Sequence, residues 1–180
     1  YKRLPNNEFE PITYRDMFQI ALDFAAALVS VGVKKEDKIG IISDNRAEWQ
    51  QADIGIMAIG AIDVPLGCDA TIIDLEKILS ITEAELVIAE NNSQVKKILS
   101  IKEKLPNLKK FICFENDLKP ETLELAKSNN VEVVLFSEML KVGQKWRIEN
   151  KGKVEEILEA GTSEDIATII FTSGTTGDPK

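Results

Sequence analysis

Six short runs rich in β-branched residues alternate along the chain with stretches whose apolar positions recur at helical spacing. The runs are KIGIIS at 38–43, AIDVPL at 61–66, ELVIAE at 85–90, KFICFE at 110–115, VEVVLFS at 131–137 and ATIIFT at 167–172. Most hold three or more apolar residues in a row, the pattern of strands covered on both faces in a parallel sheet. Starts of the first five recur about every 22–25 residues, room for a crossover helix each time. Phe18, Ala21, Leu22, Ala25, Leu28 and Val29 mark one face of a helix between Thr13 and Gly32, with Thr13 and Asp16 at capping-box spacing. Asn45 and Glu48 repeat that spacing before a second helix, with Trp49, Ala52, Ile56 and Ile59 as its buried stripe and Gly60 at its end. A third helix starts at Thr71, with Asp74 three residues on and Leu75, Ile78 and Leu79 inward. Further helices are expected around 93–104, 120–129 and 153–160, and the polar, basic stretch 141–153 reads as a surface connector. The pattern predicts an α/β fold: an open, mostly parallel sheet with helices on both faces, forming one domain to about residue 137.

Composition adds exclusions. With 44% apolar and 29% charged residues, the 180-residue chain can bury a core without disulfide or metal staples. Histidine is absent, which removes Ser-His, Cys-His and His-ligated metal chemistry at once. Cys68 and Cys113 lack CxxC spacing and read as reduced thiols of an intracellular protein. A net charge of −8 argues against nucleic acid as a partner, while leaving room for a small anion held by local donors. No apolar run approaches the ~18 residues of a membrane span. No signal or transit peptide pattern opens the chain, there is no initiator Met, and the chain stops inside a Gly-Thr-rich segment. The expectation is a cytoplasmic piece of a longer protein.

That segment carries the densest chemistry: Thr172-Ser173-Gly174-Thr175-Thr176-Gly177-Asp178-Pro179-Lys180. Its two glycines permit sharp turns and close approach to peptide N–H groups, which in succession form an anion-binding concavity. Four hydroxyls add donors and Lys180 adds charge, a set suited to a triphosphate. The order is neither GxxxxGK[ST] nor GxGxxG. A Ser/Thr/Gly-rich surface turn would have a similar composition. Nine specified positions directly after an apolar run favour the phosphate loop.

Asp165-Ile166-Ala167 and the following run, ending in TSGTTGDPK, resemble the signature of the AMP-forming acyl-adenylate synthetases. The resemblance extends to Ile12-Thr13-Tyr14-Arg15 before the Ala-rich helix and to the G-A-x-x-V-P pattern at Gly60–Pro65. Asn45-Arg46-Ala47-Glu48-Trp49 is similar to the N-R-x-E-W of the long-chain fatty acyl-CoA synthetases. Gly67-Cys68-Asp69-Ala70 departs from the family, standing where many members have a Tyr-Pro-Thr-type segment. The resemblance implies the amino-terminal part of the large domain of the adenylate-forming fold over 1–180, with 172–180 as its phosphate loop. It implies a ligase that joins a fatty acid to ATP as an acyl-adenylate and passes the acyl group to coenzyme A, with Mg²⁺ accompanying ATP. Thr172, Ser173, Gly174, Thr175, Thr176, Gly177 and Lys180 would bind the phosphates. No catalytic residue and no metal ligand is assigned within these residues, and the segment alone is expected to fold, hold its loop loosely and not catalyse. The alternatives are an adenylate-forming enzyme for a non-fatty carboxylate and a non-catalytic nucleotide-binding module.

Other residues have plainer readings. Glu48 is expected to cap, Trp49 to pack, and Arg46 to sit in the first helical turn. Cys68 reads as an unactivated thiol and Cys113 as core. Lys96, Lys97, Lys102, Lys104, Lys109 and Lys110 read as a solvated face, with weak peripheral contact to anionic lipid as the second reading. Glu83, Glu85, Glu155 and Glu156 read as solvated surface.

Overall fold

The computed structural model describes residues 2–3, 6 and 8–172. The chain divides into two compact units, one of residues 1–37, 44–62 and 137–167, the other of 38–43, 63–136 and 168–180.

In the first unit, β1 (Lys2–Arg3) pairs antiparallel with β2 (Phe9–Glu10), a hairpin absent from the sequence reading. Helix α1 (Tyr14–Ser30) starts as expected, with Thr13 Oγ1 accepting the Asp16 N–H at 3.1 Å. Its burial is wider than one stripe: Ala21 to Leu28 are all buried, Asp23 included, while Phe18 is exposed. The run of small residues lets other helices approach α1 closely. A Cβ added at Gly55 of α2 (Ala47–Ala58) would lie 2.8 Å from the Ala21 carbonyl oxygen. Two expectations for α2 are corrected. Arg46, not Asn45, is its N-cap, with no side-chain cap bond, and Glu48 accepts instead from Arg46 Nε at 2.9 Å. Trp49 is only partly buried, because the inward stripe runs through Gln51, Ala52, Gly55 and Ile56.

The second unit holds a five-stranded sheet in the order β4-β3-β5-β6-β7. Its strands are β3 (Lys38–Ile42), β4 (Ile62–Leu66), β5 (Leu86–Ala89), β6 (Lys110–Cys113) and β7 (Glu132–Leu135). The pairs β3/β5, β5/β6 and β6/β7 are parallel. Alternate residues on both sheet faces are buried: Ile42, Val87, Ala89 and Phe111 on one, Ile39, Ile41, Ile88 and Ile112 on the other. The first set joins a core with Leu75 and Leu79 of α3 (Ile72–Ile81), Val95 and Ile98 of α4 (Asn92–Leu99) and Ala126 of α5 (Pro120–Ser128). Helix α3 begins with the full capping box of Thr71 and Asp74. The α/β class, the mostly parallel sheet and its first five strands are as read from the sequence.

Two segments are not. Residues 131–137 were expected to be one strand and 141–153 a connector, but the strand ends at Leu135 and α6 (Phe136–Glu149) follows at once. Its inward positions include Phe136, Met139 and Gly143, and Arg147 lies one turn further on, so glycine and arginine break the apolar rhythm that would betray the helix. Helix α7 (Lys153–Glu159) follows Gly152, whose φ is +80°. The second correction concerns 167–172, expected as a covered strand. Among the described residues it forms one isolated parallel bridge, Thr168 with Asp63, and Ile170 is exposed. A single bridge to one described neighbour makes no ladder there.

Candidate functional site

Of the seven residues assigned to phosphate binding, Thr172 is described and exposed. Ser173, Gly174, Thr175, Thr176, Gly177 and Lys180 lie outside the described residues. What the structure does define is how the chain arrives there. In the first unit, Asp165 accepts from Lys35 Nζ at 2.7 Å and from the Thr162 hydroxyl and N–H at 2.9 and 3.2 Å. The hydrogen bond from Lys35, followed by those from Thr162, holds the Asp165 carboxyl below its ordinary pKa. The motif's leading aspartate thus fastens the turn before the run.

In the second unit the run is tied to β4 at one residue. The Ile169 N–H donates to the Asp63 carbonyl at 2.9 Å, and Thr168 Oγ1 donates to Asp63 Oδ2 at 3.2 Å. Asp63 is 1% exposed, and its Oδ1 has no hydrogen-bond partner among the described residues. Burial pushes its carboxyl above the ordinary range, against the opposing Thr168 bond. In the sequence Asp63 is marked only as the one acid inside the otherwise apolar run AIDVPL.

Strand order reverses between β3 and β5, and open α/β sheets take ligands outside the carboxyl ends of strands at such a point. There Ser43 Oγ donates to Glu90 Oε2 at 3.0 Å. The departing segment after β4 is held by Lys97, whose ammonium donates to the carbonyls of Cys68 and Ala70 at 2.9 and 2.8 Å. Neither cysteine forms a disulfide, and Cys113 is buried in β6 as expected. The remaining lysines of the basic run are also engaged: Lys96 with Glu121, Lys104 with Glu76, Lys109 with Glu85, Lys110 with Glu132, and Lys102 with the Leu105 carbonyl. Glu155, read as solvated surface, accepts from Arg147 at 3.0 Å. Arg147 also donates to Asp23 at 2.6 Å, beside an open cavity of about 530 Å³ in the first unit. Among the described residues no helix is long and apolar enough to cross a membrane.

A family model described as AMP-binding enzyme matches residues 2–180. The chain belongs to the AMP-binding enzyme family. Among its relatives, probable acyl-activating enzyme 16, chloroplastic, of Arabidopsis thaliana is 34% identical over 174 residues, covering 93% of this chain and 23% of the relative. Long chain acyl-CoA synthetase 8 of the same plant is 31% identical over 185 residues, covering 100% of this chain and 24% of the relative. The chain therefore spans about a quarter of the length of the curated relatives it matches. Two solved structures share the fold. One is the A-PCP didomain of carboxylic acid reductase from Segniliparus rugosus in complex with AMP, with TM-score 0.74, 20% identity, and 96% of this chain and 25% of that one covered. The other is an anthranilate CoA ligase in complex with anthranoyl-AMP, with TM-score 0.69, 22% identity, and 97% and 29% covered.

Proposed function

We propose that this chain is the amino-terminal part of a ligase that activates a fatty acid with ATP and transfers the acyl group to coenzyme A, releasing AMP and pyrophosphate. The reading rests on the long-chain acyl-CoA synthetases among its relatives, 31% and 34% identical over 100% and 93% of this chain. The donor set supports it. Four hydroxyls, two glycines and Lys180 in nine positions suit the β and γ phosphates of ATP, whose charge grows as pyrophosphate departs. In this reading Thr172, Ser173, Gly174, Thr175, Thr176 and Gly177 cradle the phosphates and Lys180 pairs with them. Mg²⁺ would neutralise phosphate charge when bound with ATP, and no residue of this chain is assigned to it.

The test is carboxylate-dependent exchange of labelled pyrophosphate into ATP by the full-length protein. The panel is acetate, benzoate, an amino acid and palmitate. Palmitate should drive the fastest exchange. Preference for another acid would overturn the substrate class, and no exchange with any acid would overturn the ligase reading itself.

A further inference from the structure

We propose that Asp63 is a positioning residue that grips Thr168 and Ile169 and thereby sets where the phosphate-loop segment leaves the sheet. The role rests on the reading of 172–180 as a phosphate loop; the grip itself is two hydrogen bonds of the structure. Among the described residues, both hydrogen bonds that hold 168–172 end on Asp63, one on its backbone carbonyl and one on its carboxylate. The backbone bond could be made by any residue at this position. The carboxylate bond could not.

Aspartate is a poor choice for the strand itself. Its neighbours Ile62 and Val64 are apolar and buried, and strand interiors favour β-branched residues over Asp. Asp63 is almost fully enclosed, with Oδ1 unpartnered among the described residues, so the strand gives up solvation that valine would not lose. A side chain that weakens its own strand yet holds the segment bridged to it by a hydroxyl is explained by what that segment carries. Thr172 stands four residues beyond Thr168, so a displaced attachment is handed directly to the first phosphate-binding residue. The interaction acts before any ligand arrives. It fixes Thr168 and Ile169 ahead of the loop, and fixing an attachment before binding is the general basis of preorganisation.

The experiment measures Mg-ATP affinity by calorimetry and the KM for palmitate in the full-length protein, for wild type, Asp63→Ala, Asp63→Asn, Thr168→Val and the Asp63→Ala/Thr168→Val pair. Asp63→Ala should weaken Mg-ATP about tenfold and leave the palmitate KM within about twofold. Asp63→Asn, whose amide oxygen still accepts from Thr168, should stay within about threefold of wild type for both. The double variant should be no weaker than either single one, because both remove one contact. Unchanged Mg-ATP affinity in Asp63→Ala, an Asp63→Asn variant as weak as Asp63→Ala, or multiplying losses in the double variant would each overturn the proposal. Should Asp63→Ala fail to fold, Thr168→Val decides alone: it removes the same contact from the other side and should weaken Mg-ATP about tenfold, and unchanged affinity would overturn the proposal. Mg-ATP binding without exchange for any acid would sink the ligase reading and leave Asp63 judged on affinity. A wild type that does not bind Mg-ATP would overturn both.

Discussion

Gly143→Ala should loosen the first unit by about 3 kcal/mol, although alanine is the better helix former by about 1 kcal/mol. The added Cβ would overlap the Asp23 carbonyl oxygen and lie 2.7 Å from its carbon and 3.0 Å from the Ala27 nitrogen. All three are α1 backbone atoms, so no side chain can swing aside. Restoring ordinary contact requires α6 to retreat by roughly 1.5–2 Å. Such a shift breaks the bonds from Gln144 Nε2 and Arg147 Nη1 to the Asp23 carboxylate, now 3.0 and 2.6 Å. Each bond to a charged group is worth about 1.5–3 kcal/mol, reduced to about 1 by partial exposure. Overpacking adds about 1–3 kcal/mol, which exceeds the propensity gain. Amide hydrogen exchange in the full-length protein reads this locally: α6 should open about two orders of magnitude more often than in wild type. Gly32→Ala is the control, with open space at its Cβ and only a φ of +92° to strain, a cost of about 1–2 kcal/mol. Exchange from α6 that is unchanged or slower in Gly143→Ala would refute the packing argument.

The raised pKa of Asp63 makes its folded state bind a proton that the unfolded chain has released. Stability should therefore fall as pH climbs from the ordinary value of 3.8 through the raised one, and Asp63→Asn should match wild type in acid and exceed it above that window, read from denaturation curves at several pH values. Lys180→Ala should cost about ten- to a hundredfold in pyrophosphate exchange, the worth of one hydrogen bond to a charged group; an unchanged rate removes the lysine from the reaction. Phe24→Ala, which empties a fully buried site, should cost about 3–5 kcal/mol and clearly more than Trp49→Ala, whose ring is only partly covered, as thermal melts of the two variants would show.

Strands were legible where burial on two faces forces unbroken apolar runs, as in Ile39–Ile42 and Leu86–Ala89. Helix starts were legible where a hydroxyl and an acid sit three apart and bond each other, as at Thr13 and Thr71. The same spacing at Asn45 and Glu48 misled, because Glu48 is taken by Arg46. Helix α6 was hidden because it meets α1 through the absence of a side chain at Gly143 and an ion pair at Arg147, neither of which counts as apolar. Of the site, the donor-rich loop could be read from residue types alone. Asp63 could not, since its meaning depends on a contact with Thr168, 105 positions away.

That separation matters while the protein is being made. Strand β4 lies at the rim of the five-stranded sheet, and the segment that bridges to it follows about a hundred residues later. At about 5–20 residues per second, a nascent chain leaves this rim bare for roughly 5–20 s on the ribosome. An uncovered rim strand invites pairing with another chain. Pro65 offers no N–H to an intruding strand, and the Asp63 carboxylate resists burial in a foreign sheet. A strand that carries a ring without an N–H and an acid costly to bury is a poor template for another chain until Thr168 emerges to bridge to it.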